Sequence, residues 1–108
     1  AAVDSQDKMV NEANNFYYDA MEDNATSQGV ESAILKLEQN IERLNKQAAH
    51  DGFNDETRAR AKDRAEYLEG VIETLEKRAK ELAKKEDKRR AEAAAEDEEE
   101  DGRRQEGE

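Results

Sequence analysis

Between Val30 and Leu82 the chain reads VESAILKLEQNIERLNKQAAHDGFNDETRARAKDRAEYLEGVIETLEKRAKEL. Its apolar residues recur at alternating steps of four and three: Val30, Ile34, Leu37, Ile41, Leu44 and Ala48, then Ala61, Ala65, Leu68, Ile72, Leu75, Ala79 and Leu82. Such spacing keeps one narrow stripe of a helix turned toward a partner helix, the a/d seam of a coiled coil. If the chain folds back between the two halves, position i meets position 109 − i throughout, from Val30 with Ala79 to Ala48 with Ala61. Every a position then meets a d position, as an antiparallel hairpin requires. The segment AHDGFND supplies the turn, with Asp51-Gly52 at its tip and Asn54 capping the second helix. Phe53 precedes that cap, where it can staple the first turn.

These residues predict one helix over Gln28–Ala49, capped by Thr26 or Ser27, and a second beginning near Asp55. The second helix meets no breaker before Gly102 apart from Gly70, which costs about 1 kcal/mol relative to alanine. Its seam stops at Leu82. Acid-first pairs four residues apart continue beyond it, in Glu73 with Lys77, Glu76 with Lys80, Glu81 with Lys85 and Glu86 with Arg90. Each adds only about 0.2–0.5 kcal/mol, and together they favour a helix that outlasts its packing. Residues 83–95 are therefore expected to project as a solvated rod.

Upstream, Met9, Ala13, Phe16 and Ala20 step at helical period, with Val10, Tyr17 and Met21 on the adjoining stripe. This wide apolar face predicts an amphipathic helix over Ser5–Asn24, capped by Asp4 or Ser5. Phe16, Tyr17, Tyr18 and Met21 crowd into six residues, too many bulky groups for one seam, so at least one should face another surface. They either cover the hairpin or anchor a partner, since Tyr, Phe and Met are favoured at interface centres. NATSQG, residues 24–29, reads as a connector; its Asn-Ala-Thr is a glycosylation acceptor pattern that is common by chance.

The edges of the seam place this helix. One edge carries Glu31, Glu38 and Asn45 against Lys62, Glu69 and Glu76, and is acidic on both sides. The other carries Ala33, Asn40 and Gln47 against Arg64, Val71 and Arg78. The acidic, aromatic N-terminal helix is expected on the second edge, with Phe16 or Tyr17 near Ala33 and Val71 and its acids near Arg64 or Arg78. That leaves Glu31 and Glu38 to water or to a basic partner.

The fold expected is all-α: an antiparallel helical hairpin over residues 28–82, an additional N-terminal amphipathic helix with its connector over 1–27, and a charged helical extension over 83–108 ending in a disordered acidic tail. Charge is segregated along the extension. Residues 77–90 hold eight bases and three acids, net +5, and residues 91–108 hold nine acids and two bases, net −7. Lys84, Lys85, Lys88, Arg89 and Arg90 make this basic rod a candidate electrostatic contact.

Composition narrows the function. Leu, Ile, Val and Phe number only 15 of 108 residues while 44% are charged, a balance in which only regular spacing argues for folding. So thin a core calls for a further helix or another chain to complete the burial. A net charge of −11 opposes wholesale nucleic-acid binding. No apolar run approaches the roughly 20 residues of a membrane span, so membrane insertion is not expected. Cysteine is absent, which removes disulfides, thiolate metal sites and thiol nucleophiles, and the single His50 has no second histidine to complete a metal or catalytic site. Neither Asp19 nor Asp51 opens an EF-hand loop with acids at its first, third and fifth positions and glycine at its sixth. No catalytic residue, cofactor or metal is expected. The start at Ala1 fits either a trimmed Met or a removed targeting peptide, and no compartment follows from it.

The expectation is a non-enzymatic accessory subunit bracing a larger protein assembly. Phe16, Tyr17, Tyr18 and Met21 would be its anchors, and Glu31, Glu38 and the five bases its charged contacts. The alternative is a transient scaffolding or chaperone-like factor holding a basic client through the acidic edge and tail. Self-association separates the two in part: a factor acting alone should form a stable dimer or bundle through the seams, whereas a subunit should be poorly ordered when isolated.

Overall fold

A computed structural model describes the backbone of residues 2–106 and the side chains of residues 2–95. The expected disordered acidic tail lies outside the described side chains. Three helices follow one another: α1 (Ala2–Ala20), α2 (Ser27–Ala49) and α3 (Asp55–Glu106). The described residues form no strand.

The caps carry out the local rules. Thr26 is extended, with φ −116° and ψ 152°, and its hydroxyl accepts from the Gly29 N–H at 3.0 Å, so Thr26 rather than Ser27 caps α2. At the far end the His50 N–H donates to the Gln47 carbonyl at 3.2 Å, and the ring Nδ1 accepts from the Gly52 N–H at 2.9 Å. A Cβ on Gly52 would lie 2.6 Å from the His50 ring, so a side chain there would push that exposed ring aside and disturb its bond with the Gly52 N–H. Asn54 caps α3 through Oδ1, 2.8 Å from the Thr57 N–H. Phe53 sits just before that cap. It packs on His50 with ring centroids 4.9 Å apart, while Arg58, the residue a staple would meet, reaches back to the Ala48 carbonyl at 3.0 Å.

The seam packs as its period requires. Val30, Leu37 and Leu44 of α2 are buried with Ala61, Ala65, Leu68, Ile72, Leu75, Ala79 and Leu82 of α3, and Ile34, Ile41 and Ala48 are half-buried against them. The α2–α3 interface is the largest in the molecule.

The first helix lies across the predicted edge, parallel to α3. Its buried stripe is Gln6, Met9, Ala13 and Ala20, with Phe16 half-buried between them, and on the hairpin it covers Ala33 and Asn40. Near the turn, Gln6 Nε2 donates to Gln47 Oε1 at 3.0 Å and to the Thr57 carbonyl at 3.3 Å. Arg64 sits 3.9 Å from Asp7, and Lys36 sits 3.3 Å from Glu12. At the other end Arg78 Nε donates to the Ala20 carbonyl at 2.8 Å and Nη2 to the Glu22 carbonyl at 3.3 Å. This guanidinium satisfies carbonyls that a longer helix would have used, so α1 ends at Ala20 rather than Asn24. Its other end lies at Ala2, ahead of Asp4, which falls within the first turn instead of capping it.

Two expectations about α3 are corrected. The extension leaves the bundle one turn later than the seam implies, because Glu86 turns back to α2 and accepts from the Ser27 N–H at 3.2 Å and the Ser27 hydroxyl at 3.1 Å. None of the four expected pairs closes to ion-pair distance. Glu81 pairs with Arg78 at 3.5 Å and Arg90 with Asp87 at 3.9 Å, each three residues away, because a flexible exposed side chain takes the nearest partner. Beyond the bundle α3 runs on alone. The molecule measures 80 × 19 × 18 Å, with a radius of gyration of 21.4 Å where a globular chain of this length would have about 13 Å.

Candidate interaction surface

Placement of α1 sorts the four candidate anchors onto different surfaces. Phe16 faces α2, where it borders an open groove of about 500 Å³ with Ala20, Val30, Ala33 and Lys36. Tyr17 and Tyr18 face the other way. They pack edge to face, with ring centroids 5.7 Å apart, and stay 39% and 68% exposed. Met21, 40% exposed, follows the end of α1 and joins neither group. Phe16 thus belongs with the core, and the tyrosines with the surface.

Across from the two tyrosines, α3 presents Tyr67, 46% exposed, whose hydroxyl donates to Asn14 Oδ1 on α1. Tyr17, Tyr18 and Tyr67 wall a second open groove of about 430 Å³, floored by Gly70, Val71 and Thr74. Its remaining lining residues are Asn14 and Glu66, so its one charge is negative. Gly70 is helical with no positive φ, and a Cβ built on it meets nothing within 4 Å. Neither backbone conformation nor packing in this chain therefore calls for glycine at that position. The Thr74 hydroxyl donates to the Gly70 carbonyl at 3.3 Å, which turns that hydroxyl onto the helix backbone.

Sequence reasoning missed Tyr67, Gly70 and Asn14. Tyr67, Gly70, Val71 and Thr74 share one helical face by their spacing, but they matter together only once Tyr17 and Tyr18 are set against them.

The charged candidates divide differently. Glu31, Glu38, Glu69 and Glu76 are all exposed along the open edge, as their heptad positions require, and none is ion-paired among the described residues. Lys84, Lys85, Lys88, Arg89 and Arg90 are exposed on α3. Lys85 and Arg89 border a small cleft with Asp23, Ala25 and Glu86, so the start of the basic stretch belongs partly to the bundle. There the Glu86 carboxyl is held below the usual carboxylate range. The Ser27 hydroxyl is the main cause and the Ser27 N–H the next; partial desolvation works against them, and the charges of Arg90 and Arg89 add a smaller effect.

Among the described residues no cluster of three or more His, Asp or Glu side chains is arranged to hold a metal ion. No helix among them is long and apolar enough to cross a membrane. Comparisons with protein-family models, curated proteins and solved structures return no match.

Proposed function

We propose that this chain is a non-enzymatic accessory subunit that braces a larger protein assembly, with the tyrosine face of α1 and α3 as its principal contact and the α3 extension as a basic strut. One observation supports the reading above the others: α1 fills its own edge of the hairpin yet leaves three tyrosines exposed around one groove. Aromatic side chains gathered at a surface are the usual centre of a protein interface. In this reading the exposed Lys84, Lys88 and Arg90 fix orientation through long-range charge rather than through affinity.

Purification of the tagged protein from its native source at physiological salt tests it. Recovery at fixed stoichiometry within one complex is expected, and loss of that complex in a Tyr17→Ala/Tyr67→Ala variant that still folds. A second reading is favoured by the uncovered Glu31, Glu38, Glu69 and Glu76 edge: a transient factor holding a basic client. Substoichiometric basic proteins that leave as salt is raised would select it.

A further inference from the structure

We propose that the tyrosine groove receives an arginine side chain carried on a basic segment of a protein partner, an assignment that rests on the chain being an interaction subunit. Three features of the groove select that ligand chemistry. Its walls are aromatic, from Tyr17 and Tyr18 on α1, which meet edge to face, and from Tyr67 on α3. The face of an aromatic ring carries the negative part of its quadrupole and attracts a cation laid over it. Next, the lining holds one carboxylate, Glu66, and no base, while Glu69 and Glu73 follow on the same helix and the chain as a whole carries −11. A guanidinium can stack on a tyrosine while donating to Glu66 and to the Asn14 amide oxygen. An ammonium is a compact, strongly hydrated charge and does this less well.

The third feature is Gly70. It sits inside a long helix, in ordinary helical conformation, with open space where its side chain would be. Glycine there weakens the helix and serves no contact within the chain. Its use is external: with no Cβ at position 70, a planar group can lie against the helix backbone between the rings. An alanine would stabilise the chain and lift that group away.

The test uses the full-length, isotopically labelled protein titrated with an alanine-based helical peptide bearing arginines, and with its lysine counterpart. The expected result is amide shifts centred on residues 14–18 and 66–74, and tighter binding of the arginine peptide. Gly70→Ala should melt at a higher temperature yet bind about threefold more weakly, within the range of a solvent-exposed cation–π contact. Tyr67→Leu, which keeps the groove apolar, should remove the preference for arginine over lysine. Equal binding of the two peptides, shifts centred on Glu31 and Glu38, or unchanged binding by Gly70→Ala would each overturn the assignment. So would sedimentation showing that the free protein self-associates and that Gly70→Ala abolishes it, since the occupant would then be a second copy. Failure here, alongside a native complex at fixed stoichiometry, removes the arginine site and leaves the accessory-subunit reading standing. Absence of any complex removes both.

Discussion

Glu86 ties the end of the bundle together, and its chemistry makes that tie sensitive to acid. Hydrogen bonds from Ser27 stabilise the carboxylate form in the folded chain, so the folded pKa lies below the unfolded one. The stabilisation is fully present above the ordinary glutamate pKa and is lost as pH falls through the lowered folded value. Thermal melts of wild type and Glu86→Gln across the acidic range should therefore converge at low pH and separate toward neutrality, with the wild type more stable. Parallel curves at all pH values would show that Ser27 does not hold the charge. Arg78 has a larger structural part. Its side chain is only 13% exposed and donates to two carbonyls at the end of α1, and such charged hydrogen bonds contribute about 1.5–3 kcal/mol. Arg78→Met keeps most of the packing and should lower unfolding stability by about 2 kcal/mol in urea titration.

At the scale of the elements, α1 depends on the edge that receives it. Val71 packs against the core beneath the tyrosines, and Val71→Lys would set a charge there. The variant should lose helicity and melt at a lower temperature as α1 detaches; unchanged circular dichroism and melting would contradict the placement. Gly70→Ala, one residue away and outside the core, should instead raise stability by about 1 kcal/mol.

The contrast shows what the sequence can and cannot disclose. The hairpin was legible because period and register are properties of one stretch: the spacing of Val30 through Leu82 names both the facing residues and the edges left over. An acid of α1 near Arg64 followed from those edges, and the cap at Asn54 followed from the turn residues around Asp51-Gly52. The end of α1 was not legible, because it is set by Arg78, 58 residues from the carbonyl it caps. Nor was the groove, which needs α1 laid beside α3 before Tyr67 and Gly70 have any relation to Tyr17 and Tyr18. The expected Glu86–Arg90 pair failed for a similar reason. Local spacing offers a partner, but a tertiary neighbour, Ser27, offers a better one.

Taken whole, the molecule is a short three-helix bundle that continues as one helix, 80 Å from end to end. Its interior holds the bundle together: Leu37, Leu44, Leu68 and Leu75 are fully buried, and alanine is the commonest residue in the rest of the core. The grooves lie between helices rather than within them and are open to solvent. In the proposed reading this shape suits bridging and bracing, with the tyrosine groove in the first half of α3 as the contact face and charge carried outward along the rest of the helix.

Hydrogen exchange on the chain within the complex recovered from its native source, compared with the free protein, decides whether the tyrosine groove is the contact face. Residues 14–18 and 66–74 should gain protection in the complex, with no change along the Glu31 and Glu38 edge. Recovery of the chain alone, or a complex in which those two segments exchange as they do in the free protein, would contradict that role for the groove.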